Sequence, residues 1–170
     1  SINRFMGSGF VIPGTGVLLN NEMDDFVIQP VVDSNNDSAE DMPNIIEPGK
    51  RPLSSMSPTF VESGERIGIL GTPGGTRIIS MVLLGILDFS DGKLPESWVD
   101  QPRFHHQYKP DNITFEKNAF TELEQQGLIS MGHKLRVSRR NYGNMQAIMW
   151  DKRTDHVYAA SDKRGEGSAI

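Results

Sequence analysis

The sequence predicts an α+β fold in which helices pack on antiparallel sheet, and three observations predict it. Strand-like pairs of β-branched residues precede and follow one long apolar segment. A glycine-rich turn joins a strand directly to that segment. The 170 residues are also enough to bury a sizeable core.

Residues 10–12 and 17–19 read as strands around a Pro13-Gly14-Thr15-Gly16 turn. Residues 33–47 carry Asp33, Asp37, Glu40, Asp41 and Glu47 with no Lys or Arg, and are expected to form an exposed loop. Residues 58–62 and 66–70 read as a hairpin closed by Ser63-Gly64-Glu65. Residues 76–89 are apolar almost all round, which predicts a helix buried between layers. A short helix over 95–101 stops before Pro102, and 113–116 reads as a strand. An amphipathic helix over 120–126 is expected to stop at Gly127. Three strands follow, over 134–138, 145–151 and 156–161, the last two joined by a Lys152-Arg153-Thr154-Asp155 turn.

Composition excludes several classes of function. The net charge of −5 supplies no basic field for a nucleic-acid backbone. No apolar run approaches the ~20 residues of a membrane-spanning helix, and no signal peptide is visible at the first residues. Without cysteine there is no disulfide, no thiolate nucleophile and no Cys-ligated zinc.

Four segments carry candidate chemistry. Gly71-Thr72-Pro73-Gly74-Gly75-Thr76-Arg77 lacks the Lys and the following hydroxyl of a phosphate loop. The amides of Gly74 and Gly75 suit an oxyanion hole, the alternative being a tight turn that needs positive φ. Glu22 and Asp25, three apart, suit one cation, either a metal or an ammonium, or else belong to a solvated loop. Asp33-Ser34-Asn35-Asn36-Asp37 begins like a calcium loop, but Ser38 and Asn44 stand where that loop needs Gly and Glu. Ser54 and Ser55 offer adjacent hydroxyls for a carboxylate, in a pattern also common in turns.

The remaining motifs carry less. No Gly-x-Ser-x-Gly elbow supports a serine triad. The adjacent pair His105-His106 lacks the i, i+4 spacing of a zinc helix, and His133 and His156 stand alone. Residues 129–150 hold Lys134, Arg136, Arg139 and Arg140 with no acid, which reads as a solvated strand face or a partner contact.

Five segments in order resemble the small subunit of the gamma-glutamyltranspeptidases. These are Gly14-Thr15-Gly16-Val17-Leu18-Leu19-Asn20-Asn21-Glu22-Met23-Asp24-Asp25-Phe26, Pro48-Gly49-Lys50-Arg51-Pro52-Leu53-Ser54-Ser55-Met56-Ser57-Pro58-Thr59, Pro73-Gly74-Gly75-Thr76-Arg77-Ile78-Ile79, Pro102-Arg103-Phe104-His105-His106-Gln107, and Ala160-Ser161-Asp162-Lys163-Arg164. The resemblance runs in register from Asn3 to the C-terminus.

It implies the N-terminal-nucleophile hydrolase fold, a four-layer αββα sandwich matured by self-cleavage into a large and a small subunit. Residues 1–170 would be most of the small subunit, without the segment bearing the nucleophilic Thr, for which Ser1 is not a substitute. By resemblance, Asn3, Glu22 and Asp25 bind the α-ammonium of a γ-glutamyl group, and Ser54 and Ser55 hold its α-carboxylate beside an Arg of the large subunit. Gly74 and Gly75 stabilise the tetrahedral oxyanion. Residues 27–47 fall where bacterial relatives carry a lid with a Tyr, yet are acidic and lack an aromatic residue. The resemblance implies no metal or organic cofactor, the large subunit as partner, and glutathione-like donors with water, amino acids or peptides as acceptors. It also implies a periplasmic or extracellular location. The alternatives are a related acylase with another donor, resembling the cephalosporin acylases, or a non-catalytic binding protein.

Overall fold

The computed structural model describes residues 7–27 and 43–169. Asn3 and positions 28–42 of the expected lid lie outside them. The chain divides into two compact units, 1–54 and 55–170.

In the first unit, the segments 10–12 and 17–19 form a narrow antiparallel ribbon rather than full strands. Val11 and Leu18 make a single bridge, flanked by Ile12 N–H to Val17 O at 3.0 Å and Leu19 N–H to Phe10 O at 2.9 Å. Phe10, Val11 and Val17 are exposed, so no packed face extends the pairing. The chain then turns through a 3₁₀ helix, Glu22–Asp25. Phe26 behind it is buried.

The second unit holds two sheets and three helices. Strands β1 (Thr59–Ser63) and β2 (Arg66–Gly71) pair antiparallel, with Gly64 at φ +56° in the two-residue loop between them. A 3₁₀ turn, Gly75–Arg77, leads into α1 (Ile78–Ser90), and α2 (Pro95–Asp100) follows with Pro95 in its first turn. Next come β3 (Phe104–His105), β4 (Ile113–Phe115), α3 (Glu122–Ser130), β5 (Leu135–Val137), β6 (Gln146–Asp151) and β7 (His156–Ser161). The larger sheet is antiparallel in the order β1-β2-β6-β7, and the smaller runs β3-β4-β5.

The smaller sheet and the third helix also depart from expectation. The smaller sheet is not wholly antiparallel: β4 and β5 are parallel, because α3 carries the chain across between them. The third helix does not stop at Gly127. Thr121 and Glu124 form a capping box that starts it, and it runs on to Ser130. It ends where Gly132, at φ +93°, donates to Ile129 O while His133 N–H donates to Leu128 O.

Helices α1 and α2 cover one face of the larger sheet. Leu70, Ala147, Met149 and Ala160 from the strands meet Met81, Val82, Phe89, Trp98 and Val99 from the helices. A Cβ on Gly85 would lie 2.6 Å from Leu70 Cδ1, so this glycine sets how closely α1 approaches β2. Helix α1 is buried on one side only. Ile79, Leu83 and Leu87, at i, i+4 and i+8, remain exposed. The opposite face of the sheet is likewise apolar and open, with Phe60, Ile69 and Ile148 aligned across three strands.

Candidate functional site

In the first unit, Glu22 and Asp25 are both half-buried on the 3₁₀ turn, whereas Met23 and Asp24 between them are exposed. A three-residue repeat places positions i and i+3 above one another, so the two carboxylates share a side. Glu22 N–H donates to Asn20 Oδ1 at 3.0 Å, and Asn21 Nδ2 donates to Asp24 Oδ2 at 3.0 Å, which fixes the turn locally. Glu22 Oε1 is buried, with no hydrogen-bond partner among the described residues. A buried carboxylate oxygen without a donor suits an incoming cation.

Asn44 carries no motif in the sequence, yet it organises this part of the chain. Its Nδ2 donates to Asp25 O at 2.6 Å, and its Oδ1 accepts from Leu53 N–H at 3.0 Å. One side chain thus ties the acidic turn to the segment entering Ser54. The tie is reinforced by the parallel bridge between Val27 and Ile45. Ser54 is exposed at the end of the first unit; Ser55 opens the second, and its carbonyl accepts from Ser57 Oγ at 3.1 Å.

In the second unit, Gly74 and Gly75 are exposed on the turn between β2 and α1, with φ of +156° and +59°. Gly74 O accepts from Arg77 N–H at 3.3 Å. Among the described residues, neither the Gly74 nor the Gly75 N–H has a hydrogen-bond partner. Two successive free donors on one turn can bind a developing oxyanion.

The turn is braced through its third residue. Thr76 Oγ1 donates to Gln107 Oε1 at 2.9 Å, and that oxygen lies 2.9 Å from His105 Nε2. An amide oxygen only accepts, so Nε2 carries a proton, and Nδ1 lies 2.7 Å from Ser80 Oγ. His105 and Gln107 therefore act on the turn as positioning residues. The strand that leads into them is too short to show a sequence period.

Behind the turn lies a buried ionic cluster. Arg103 pairs with Asp162, and Arg164 grips Glu116 with both Nε and Nη2, at 3.0 and 2.7 Å. Arg103 also donates to the carbonyls of Val99 and Tyr142, and Arg164 to those of Val99 and Gln101. Burial works against the Asp162 carboxylate, but donation from the Arg164 and Met145 N–H groups and from Arg103 outweighs it and holds the carboxyl below its usual range. For Tyr142, burial and the nearby Glu116 carboxylate push the phenol up, so it stays protonated.

Comparison with known proteins decides the family. A family model described as gamma-glutamyltranspeptidase matches residues 1–170. The chain belongs to the gamma-glutamyltranspeptidase family. It is 39% identical over 175 residues to a glutathione hydrolase proenzyme of Pseudomonas aeruginosa, covering 100% of this chain and 31% of that one. For the glutathione hydrolase proenzyme of Escherichia coli the identity is 38% over 166 residues, covering 96% and 28%. A crystal structure of a gamma-glutamyltranspeptidase variant from Helicobacter pylori superposes with a TM-score of 0.83 at 37% identity, covering 97% of this chain and 90% of that one. The chain thus spans about a third or less of these curated relatives and has the fold of the N-terminal-nucleophile hydrolases.

Proposed function

We propose that the protein is a γ-glutamyl acyltransferase and hydrolase acting on glutathione-like γ-glutamyl amides, with its nucleophilic Thr on a segment outside these 170 residues. The observation that carries the reading is the pair of unpartnered amides at Gly74 and Gly75. The Thr hydroxyl attacks the γ-carbonyl carbon, its proton passing to a base. The carbonyl oxygen becomes an oxyanion held by the two N–H groups. Collapse breaks the C–N bond, the amine leaves with the proton, and water or an acceptor amine resolves the ester. Loss of one such donor typically costs about 2.7–4 kcal/mol of barrier.

Glu22 and Asp25, with Asn3, hold the donor's α-ammonium in this reading, and Ser54 and Ser55 its α-carboxylate. The unmet Glu22 Oε1 supports the ammonium assignment. A large subunit from the same precursor completes the site, and amino acids or peptides serve as acceptors outside the cytoplasm. The names of these two relatives, both above a third identical, favour this donor over that of an acylase. Among the described residues, no helix is long and apolar enough to cross a membrane.

The test is made on the matured two-chain protein. Asp25→Ala, and Ser54→Ala with Ser55→Ala, should each raise KM for γ-glutamyl-p-nitroanilide by about 10- to 100-fold, the value of a charge-assisted contact. Unchanged KM in both variants would contradict the assigned cradle.

A further inference from the structure

A concavity of about 410 Å³ in the second unit is walled by Arg77, Arg136, Arg139 and Arg140, together with Asn141 and Tyr142. No acidic side chain lines it. Arg136 sits at the middle of β5, opposite Thr114 of β4. Ser138 N–H donates to Phe115 O at 2.7 Å and Ser138 Oγ to Arg140 O at 2.6 Å, fastening the loop that carries Arg139 and Arg140. Arg77 lies over the Tyr142 ring, its Cζ 4.5 Å from the centroid. Tyr142 is anchored in turn by its N–H to Glu116 Oε1 at 3.3 Å and by Arg103 on its carbonyl.

Among the described residues, none of the four arginines forms a salt bridge. That is unusual in a chain where 22 acidic residues outnumber 17 basic ones. Four unneutralised guanidiniums around one hollow repel each other, and a multiply charged anion relieves the repulsion. Each guanidinium also presents a planar fork that matches a carboxylate or phosphate. The Tyr142 hydroxyl on the same wall is buried, with no partner among the described residues.

We propose that this concavity is an anion site for a small compound carrying two or more carboxylate or phosphate groups. Arg77 follows Gly75 by two residues, which keeps their Cα atoms within about 7 Å. A bound anion therefore lies beside the oxyanion turn, where it selects which charged compounds approach the reacting carbonyl. That consequence rests on the proposed function; the binding does not.

The experiment uses the matured two-chain protein and two probes, triglutamate and inorganic triphosphate, titrated calorimetrically. Wild type is compared with Arg139→Ala/Arg140→Ala and Arg139→Lys/Arg140→Lys, each checked for an unchanged melting curve. At least one probe should bind, weaken with added salt, and lose at least about tenfold in affinity in the alanine pair. The lysine pair should fall between, since it keeps charge without the fork. Tighter triglutamate assigns a peptide carboxylate and tighter triphosphate a phosphorylated compound, and either supports the site. Failure of both probes to bind wild type, or equal affinity in the alanine pair, overturns it. Hydrolysis of γ-glutamyl-p-nitroanilide without probe is measured in parallel and should be unchanged in the alanine pair. Anion binding in a wild type that shows no hydrolysis would support the site while refuting the catalytic reading.

Discussion

At Gly74 a φ of +156° strains any L side chain, and a Cβ would lie 2.5 Å from Met81 Cε, so the buried Met81 side chain would have to shift within the core. Gly74→Ala should therefore shift the turn without unfolding the helix behind it. We expect kcat to fall by on the order of 10²-fold with KM little changed, the signature of a donor used mainly in the transition state. Steady-state kinetics beside a far-ultraviolet spectrum check this, and a wild-type kcat in a folded variant would contradict the role. Single-residue features divide by how they announce themselves. The spacing of Glu22 and Asp25 is local, so the sequence alone displays it. The role of Asn44 is hidden there, because its amide bridges backbone groups 19 and 9 residues away, a relation no periodicity records.

Among the elements, those with a strong period or sharp punctuation are legible in the sequence. Strands β2 and β6 alternate between buried and open positions along much of their length, and Pro95 and Pro102 bracket α2. The length of α3 is not legible, since a glycine within a helix costs only about 1 kcal/mol and Thr121 with Glu124 already secures its start. The parallel pairing of β4 with β5 is equally hidden. Three-residue strands carry no period from which a direction follows. The apolar run of α1 predicts burial on both sides, and the structure covers only one. The face that a four-layer αββα sandwich presents to its second sheet is instead the open one of Phe60, Ile69 and Ile148.

For the whole molecule, the cluster of Arg103, Glu116, Asp162 and Arg164 links α2, β3, β4 and the chain beyond β7. The motifs holding Arg103 and Asp162 stand out only through resemblance, because nothing in the sequence pairs residues 59 apart. The carboxyl of Asp162 is held below its unfolded value, so its contribution is fully present above about pH 4. Below that the unfolded chain takes up a proton the native chain refuses, and stability falls until the native group also titrates. The melting temperature of the matured protein should drop as the pH falls below about 4. Asp162→Asn should flatten that drop while costing about 3–5 kcal/mol at pH 7, as loss of one partner from a buried pair does. An unchanged pH profile in the variant would assign the acid sensitivity elsewhere.

Catalysis as proposed needs the amides of Gly74 and Gly75 together with a Thr from beyond these residues. Its most direct test is turnover of γ-glutamyl-p-nitroanilide by the full-length gene product after maturation, with intact masses of both chains. The account predicts turnover together with a small chain that begins at Thr and contains these 170 residues. Self-cleavage without release of p-nitroaniline would contradict the γ-glutamyl donor, and absence of both would contradict the enzyme itself.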